Sequence, residues 1–285
     1  MKNYLELTLK EKHGLAEFLN RNNEEQVTLE EWDKQLVSEV YGYGKGILIT
    51  FVEGKVAGKI SVVLKECIPK GTAYVLDLEI SEEITDKALL ARALLDAVKT
   101  VAIEHGAREV YLGASKKEIL EILKSLHFVK QYEAQKLILE DREPRSTPLE
   151  LLPLREENKA DYLDLYNAAF GEVPNGDTLR EKDVEECLRH ADENRAYYMV
   201  TDGMQNIGFL QFDLKNDRGK FDLGLLKKFR GMGYGKRLLE TAIGYLNQRE
   251  AEVSLLVITK NETAYQLYKA RGFRLDRVIS EWFIL

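Results

Sequence analysis

A glycine-rich stretch in the second half of the chain has the composition of an anion-binding site. Glycines alternate at positions 231, 233 and 235, directly before a segment whose apolar residues recur at helical spacing. Glycine has no Cβ, so successive amide N–H groups can converge there, beside the positive end of a helix dipole. The same stretch carries five cations: Lys227, Lys228, Arg230, Lys236 and Arg237. The pattern predicts that this loop binds a pyrophosphate.

Spacing separates three kinds of phosphate-binding loop. A mononucleotide P-loop requires four residues between a glycine and Gly-Lys-Ser/Thr, whereas here Arg237 follows Lys236. A dinucleotide loop requires Gly-x-Gly-x-x-Gly, and counting from Gly231 the third glycine position is Lys236. Both readings fail, and the pattern that remains is Arg-x-x-Gly-x-Gly.

A second motif lies downstream, at residues 261–273. Asn261 is a good N-cap, and Ala264 and Tyr268 follow it at spacings that place them within one helical turn of each other. Gly272 is expected to end this helix and Phe273 to begin a strand. The pattern therefore predicts a helix that presents a phenol near the side of its capped end.

Together these motifs resemble the GNAT superfamily of N-acetyltransferases. Residues 230–235 are similar to motif A, which binds the pyrophosphate of acetyl-coenzyme A, and residues 261–273 are similar to the family signature Asn-x-x-Ala-x-x-Leu-Tyr-x-x-x-Gly-Phe. The resemblance implies a central strand that splays from its neighbour and offers backbone groups to pantetheine. The acyl-coenzyme A binding residues predicted in this way are Leu223, Gly224, Leu225, Arg230, Gly231, Met232, Gly233, Tyr234, Gly235, Lys236, Asn261, Ala264 and Tyr268.

The resemblance also implies a reaction, direct transfer of an acetyl group to a primary amine of a small molecule or peptide. The amine must lose a proton and the departing thiolate must be stabilised. Tyr268 is the candidate general acid, and an amide N–H near Leu225 is the candidate for polarising the carbonyl. Asp222 is the candidate base, alone or through a water, and Glu281 is a weaker one.

Two questions stay open at this point. Glu172 and Asp177 lie where the acceptor groove of such domains is bordered, but ordinary surface charge explains them equally well. A coenzyme A-binding sensor or scaffold without turnover is the alternative to an enzyme, and the effect of replacing Tyr268 separates the two.

The chain repeats one architecture at an offset of 145 residues. Asp77-Leu78 matches Asp222-Leu223, and Leu126-His127-Phe128 falls on Arg271-Gly272-Phe273, without gaps over about sixty positions. A polar stretch with two prolines interrupts the pattern between the copies. We expect an α+β protein with a degenerate GNAT-like domain at residues 1–140, an exposed linker at 141–148 and an acetyl-coenzyme A-binding domain at 149–285. Each domain should have a mixed, mostly antiparallel central sheet flanked by helices.

The first copy lacks the features that would bind the cofactor. At the same offset, Thr85 replaces Arg230, Ala88 and Leu90 replace Gly233 and Gly235, and Leu123 replaces Tyr268. Glu82, Glu83 and Asp86 take the places of Lys227, Lys228 and Gly231. A carboxylate beside a pyrophosphate repels it by at least about 1 kcal/mol. The first copy should not bind coenzyme A.

Composition limits the partners. A net charge of −7 argues against nucleic acid, and no apolar run is long enough for a membrane span. Cys67, Cys187 and the four histidines have no metal-ligand spacing, so no metal is expected. The N-terminus lacks the apolar stretch of a secretory signal, which favours a cytoplasmic protein. A fused pseudo-dimer has less need of a second chain, which favours a monomer.

Overall fold

The computed structural model describes residues 1–21, 23, 25–216 and 218–285, and these form two compact units. Unit 1 comprises Met1–Tyr132 and Ser280–Leu285, and unit 2 comprises Glu133–Ile279. The strands of the first half of the sequence are β1 (Lys2–Asn3), β2 (Ile47–Val52), β3 (Lys55–Val63), β4 (Thr72–Ile80), β5 (Glu109–Ala114) and β6 (Lys130–Leu139). Its helices are α1 (Leu9–Asn20), α2 (Leu29–Leu36), α3 (Cys67–Lys70), α4 (Lys87–Glu104) and α5 (Lys117–Ser125).

The second half of the sequence repeats this series of elements. Its strands are β7 (Glu150–Pro153), β8 (Arg195–Thr201), β9 (Asn206–Lys215), β10 (Arg218–Leu225), β11 (Glu252–Ile258) and β12 (Arg274–Ile284). Its helices are α6 (Lys159–Phe170), α7 (Glu181–His190), α8 (Tyr234–Asn247) and α9 (Glu262–Arg271). No helix in the described ranges combines the length and the apolar composition that a bilayer crossing requires.

In unit 1 the strand order is β1-β2-β3-β4-β5, followed by the end of β12. Strands β4 and β5 are parallel, whereas the pairs β1-β2, β2-β3, β3-β4 and β5-β12 are antiparallel. Successive side chains of a strand point to opposite faces. Leu48 of β2 accordingly packs in the core under α4 and α5, whereas Ile47 and Ile49 pack with α1 and α2. The sheet is therefore covered by helices on both faces.

Unit 2 has the same plan. Its order is β6-β11-β10-β9-β8-β7, and β10 and β11 form its parallel pair. One face packs against α8 and α9 around the predicted inner side of α8, including Leu238, Leu239 and Ile243. The other face packs against α6 and α7 around Phe209 and Tyr162. The predicted fold class, two GNAT-like α+β units with mixed sheets flanked by helices, is correct.

Residues that correspond at the offset of 145 also share a backbone conformation where the second helix of each pair ends. Helix α5 is followed by His127 at φ +61°, and α9 is followed by Gly272 at φ +106°. Both residues are left-handed, and 127 plus 145 is 272. A histidine in this conformation is uncommon, because its Cβ crowds the backbone there. The first copy therefore ends the helix in the same way, with a less suitable residue.

The compact units do not divide at the predicted linker. Within unit 2, β6 pairs with β11, with Leu139 opposite Val253, and within unit 1 the end of β12 pairs with β5, with Phe283 opposite Leu112. Each unit thus includes a strand encoded by the other half of the sequence. The local pattern of β6 and β12 is the same, so the sequence does not reveal which sheet each strand joins.

Residues 141–148, expected to be an exposed linker, are mostly exposed, and several of their groups also bond to other residues of unit 2. The Arg271 guanidinium donates to the Glu143 carbonyl at 2.8 Å, and the Arg145 amide donates to Glu240 at 2.9 Å. Arg271 and Glu240 themselves form a buried ion pair at 2.6 Å. The charges that suggested solvent exposure are partly used to fix this segment.

Candidate functional site

The parallel strands of unit 2 separate along their length. β10 and β11 are in register only from Arg218 opposite Glu252 to Lys220 opposite Ser254. Beyond this point β10 pairs with β9 as far as Leu225, whereas β11 pairs with β6 as far as Ile258. The edge of β10 that faces β11 therefore has no strand partner from residue 221 onwards. This is the splay that the resemblance implied for Leu223, Gly224 and Leu225.

The glycine-rich loop follows directly after the open end of β10. Gly231 and Gly233 have φ of +79° and +86°, and Gly233 is the N-cap of α8 without a side-chain cap. Within the described chain, the amide N–H groups of residues 231–236 donate to no other group in hydrogen-bonding geometry. A helix N-terminus with such amides is a ready-made anion site. Six consecutive donors are therefore open to a ligand.

The backbone of the loop is held by side chains that point away from these amides. The Tyr234 hydroxyl donates to Asp202 at 2.9 Å, and its ring lies edge-on to Phe229 at 5.8 Å between centroids. A Cβ at Gly231 or Gly233 would meet nothing within 4 Å. These glycines are needed for their left-handed backbone and for open space in front of it, because nothing packs against them.

Arg230 is used by the protein itself. Its guanidinium donates to the Leu225 carbonyl at 3.1 Å and to the Ala169 carbonyl at 3.1 Å, and it contacts Glu172 at 3.4 Å. Glu172 also binds Lys227 at 2.7 Å, and these two cations, Lys227 first, hold the pKa of Glu172 below its ordinary value. Arg230 thus ties the loop to the end of α6, and its backbone amide is also used, since it donates to the Lys227 carbonyl at 3.1 Å.

Tyr268 lies on α9, where Asn261 caps the helix by accepting from the Ala264 amide at 3.3 Å. Only 7 % of Tyr268 is exposed, and in the described chain no protein group hydrogen-bonds to its hydroxyl. Burial first, and then the Asp222 carboxylate, raise the pKa of Tyr268. The phenol is therefore protonated at physiological pH and lies within electrostatic reach of Asp222.

Asp222 occupies a recess. Its pKa is raised, mainly because surrounding protein atoms remove water from the carboxylate, yet 41 % of the side-chain surface remains accessible. The Lys220 ammonium lies 3.8 Å from the carboxylate and opposes the shift, while Asp177 reinforces it. A carboxylate that is poorly hydrated but reachable is suited to accept a proton from a ligand.

Helix α6 and the loop after it complete the recess. The Tyr166 hydroxyl donates to Asp177 at 2.6 Å, and the Asn167 side chain holds both the amide and the carbonyl of Leu179 at 2.9 and 3.0 Å. Gln211, opposite Asp222 on β9, donates to the Tyr162 hydroxyl at 2.7 Å. Sequence reasoning named Asp177 but missed Tyr162, Tyr166, Asn167 and Gln211, although aromatic residues at 162, 166 and 170 recur every fourth position and so mark one helix face.

Of the predicted site residues, one lies apart. Glu281, the weaker candidate base, belongs to unit 1, where it pairs with Ala114 and lies 3.9 Å from Lys130. The remaining candidates of unit 2 lie on β10, on the loop before α8, on α9 and on the loop after α6.

In unit 1, the positions that correspond to the site of unit 2 are occupied by other groups. The Asp86 carboxylate accepts from the Leu89 amide at 2.9 Å, which corresponds to the open amide of Tyr234. Leu123, fully buried, takes the place of Tyr268. Asp77, the counterpart of Asp222, lies 3.5 Å from the ammonium of the buried Lys59. In unit 1, the counterpart of an open amide is thus hydrogen-bonded, the counterpart of Tyr268 is a leucine, and the counterpart of Asp222 is paired with a lysine.

Comparison with known proteins agrees with this geometry. Residues 159–273 match the model of the acetyltransferase (GNAT) family. A GCN5-related N-acetyltransferase from Sphaerobacter thermophilus superposes with a TM-score of 0.59 at 16% identity, covering 95% of this chain and 91% of that one. One from Kribbella flavida gives a TM-score of 0.65 at 13% identity, covering 98% of this chain and 69% of that one.

A protein with two such domains is also similar over nearly its whole length. The tandem GNAT protein from the clavulanic acid biosynthesis pathway superposes with a TM-score of 0.53 at 14% identity, covering 96% of this chain and 92% of that one. No curated protein matches the chain. Residues 159–273 of unit 2 are thus similar to the acetyltransferase (GNAT) family, and the structural likenesses show that the chain has the fold of such proteins, including a tandem one.

Proposed function

We propose that unit 2 transfers the acetyl group of acetyl-coenzyme A to a primary amine of a small molecule or peptide, within a ternary complex. The observation that carries the proposal is the row of six open amides at residues 231–236, directly beyond the splayed end of β10. Pyrophosphate is the chemical group in acetyl-coenzyme A that such a row can bind. Unit 1 offers no equivalent row and is assigned no transfer activity.

The groups that line the loop and the open edge of β10 fit the chemical groups of acetyl-coenzyme A. The open amides and the exposed Lys236 would hold the pyrophosphate, and the unpaired edge of Leu223, Gly224 and Leu225 would hydrogen-bond the pantetheine amides. Acetyl-coenzyme A supplies the thioester. The distance that the cofactor must span is set by β10, which leads from the loop back to Asp222.

Asp222 and Tyr268 then have complementary roles. Asp222 accepts a proton as the amine attacks the thioester carbon, since its raised pKa makes it a stronger base than an exposed aspartate. The C–S bond breaks, and the protonated Tyr268 hydroxyl donates to the departing sulfur. The products are an N-acetylated amine and free coenzyme A thiol.

Binding is tested by calorimetry with acetyl-coenzyme A and the full-length chain. Gly233→Glu introduces a carboxylate among the amides and should weaken binding by at least about 10-fold. Gly233→Ala imposes the same left-handed backbone strain without the charge, so the difference between the two variants isolates electrostatics. Ala88→Glu makes the corresponding change in unit 1 and should leave binding unaltered.

Turnover is tested by release of free thiol with a panel of amines. An enzyme releases thiol in proportion to acetylated amine, whereas a sensor or scaffold binds acetyl-coenzyme A and releases none. Absence of binding by the wild-type chain, or equal binding by the Gly233→Ala and Gly233→Glu variants, would overturn the proposed function.

A further inference from the structure

The structure assigns Asp177 as the residue that selects the acceptor, and we propose that the acceptor carries a second cationic group beside the amine that is acetylated, as a diamine or polyamine does. This inference rests on the proposed function, because it names the substrate class of the same site.

The Asp177 carboxylate is built into place. Its Oδ1 accepts from the Tyr166 hydroxyl at 2.6 Å, and the Tyr166 ring is locked between Phe209 and Phe170, at centroid distances of 4.6 and 5.0 Å. The loop that carries Asp177 is fastened a second time, where Asn167 clasps Leu179. A surface aspartate that merely aids solubility needs no such support, so the geometry favours a positioned carboxylate.

Asp177 is also not neutralised by the protein. In the described part of the chain, no lysine, arginine or histidine forms an ion pair with it, although the loop's other acid, Glu172, binds two cations. Asp213, on the sheet face of Asp222, has Arg195 and Lys220 directly opposite it on the flanking strands. Asp177 is thus a fixed carboxylate, without an ion-pair partner in the described chain, that can bind a cation of the ligand.

The two carboxylates act on the same space. Both lie on the α6 side of the sheet: Asp177 is bonded to Tyr166 of α6, and Asp222 is opposite Gln211, which bonds Tyr162 of α6. Asp177 also disfavours ionisation of Asp222, and Lys220 opposes this effect. Tyr268, which is more than nine-tenths buried and has no protein partner, is coupled electrostatically to Asp222. A ligand with a cation at Asp177 relieves the repulsion between the two acids and leaves Asp222 to act as the base.

The reacting amine cannot satisfy both acids. It must give up its proton to Asp222 and attack as a neutral group. A second ammonium that keeps its proton can remain at Asp177 throughout the reaction and hold the acceptor in place. The chemistry therefore predicts discrimination between acceptors that differ only in their second terminus.

The test compares 1,4-diaminobutane with 4-amino-1-butanol, which has the same length and reacting amine but a neutral second end. Full-length wild-type protein should acetylate the diamine with a kcat/KM at least about 10-fold higher. Asp177→Asn should reduce this preference to about 2-fold or less by raising KM for the diamine relative to KM for the aminoalcohol, while KM for acetyl-coenzyme A changes little; an effect of the lost charge on Asp222 acts on both acceptors and leaves their ratio unaltered. Asp177→Glu should retain part of the preference.

Asp213→Asn is the matched control, since it removes another carboxylate that raises the pKa of Asp222 from the same sheet face but is not held by Tyr166, and it should keep the wild-type preference. Calorimetry of both acceptors with the coenzyme A-saturated protein gives the same comparison without turnover. Equal use and equal binding of the two acceptors, or an unaltered preference in Asp177→Asn, overturns this inference and leaves the proposed function intact. Failure to bind acetyl-coenzyme A overturns the proposed function itself.

Discussion

Gly224 lies where the backbone of β10 passes closest to the aromatic cluster under α6, and its replacement by alanine gives a quantitative test of the site. A Cβ built at Gly224 would lie 2.2 Å from Cε1 of Phe209 and 2.9 Å from two further carbons of that ring. Carbon atoms in contact are about 3.5–4.0 Å apart, so the ring would have to retreat by about 1.3 Å or more.

The ring of Phe209 has no room to retreat. It is fully buried and lies 4.6 Å from Tyr166 and 4.9 Å from Phe170, centroid to centroid. Overpacking of this kind costs about 1–3 kcal/mol, and the short distances favour the upper end of that range. Because Tyr166 holds Asp177, we also expect Gly224→Ala to weaken the acceptor site.

The free energy of unfolding is measured by urea denaturation followed by circular dichroism. Gly235→Ala is the control, because a Cβ there meets only Leu267 at 3.7 Å, and it should be neutral to slightly stabilising. Phe209→Leu should partly rescue Gly224→Ala in a double-mutant cycle, since it removes the clashing ring atoms. Equal midpoints for Gly224→Ala and the wild-type chain would refute this account of the packing.

Three further predictions concern the acid, the base and the segment at residues 141–148. Tyr268→Phe should lower kcat by about 10-fold or more with little change in acetyl-coenzyme A affinity, and unchanged turnover would remove Tyr268 from the mechanism. Asp222 must be ionised to act as the base, so kcat/KM should fall as the pH drops through its raised pKa. Lys220→Met removes a cation that lowers this pKa, so the acidic limb of the pH–kcat/KM profile should move to higher pH. The control Lys269→Met should leave the acidic limb where it is in the wild-type protein. Arg271→Leu strands the buried Glu240 carboxylate and should cost about 3–5 kcal/mol in urea denaturation, whereas Arg271→Leu with Glu240→Leu should recover most of it.

The sequence predicted the parts of the site that are written in consecutive residues. The alternating glycines at 231 and 233 indicate a left-handed turn and a helix that starts without a side-chain cap, and Asn261 indicates an N-cap. These residue types have few other reasons to occur in that order. The offset of 145 residues predicted the paired series of elements, since the hydrophobic pattern of a strand or helix is local.

The parts that the sequence could not predict depend on contacts between distant residues. Arg230 is predicted to bind the cofactor, and its guanidinium also binds the Ala169 and Leu225 carbonyls and Glu172, which no local pattern encodes. Glu281 is the weaker candidate base, and the end of its strand belongs to unit 1. Whether Asp177 was functional could not be judged until Tyr166 was found beneath it.

Strands β6 and β12, which each join the sheet of the unit encoded mainly by the other half of the sequence, limit where this protein can be truncated. A fragment that starts at residue 149 lacks β6, so the amides and carbonyls of β11 that pair with β6 would have no partner. Such an exposed strand edge promotes aggregation. A fragment that keeps the whole of unit 2 runs from residue 133 to residue 279. For the same reason, deletion of residues 1–140 would remove a strand, β6, from the sheet of unit 2.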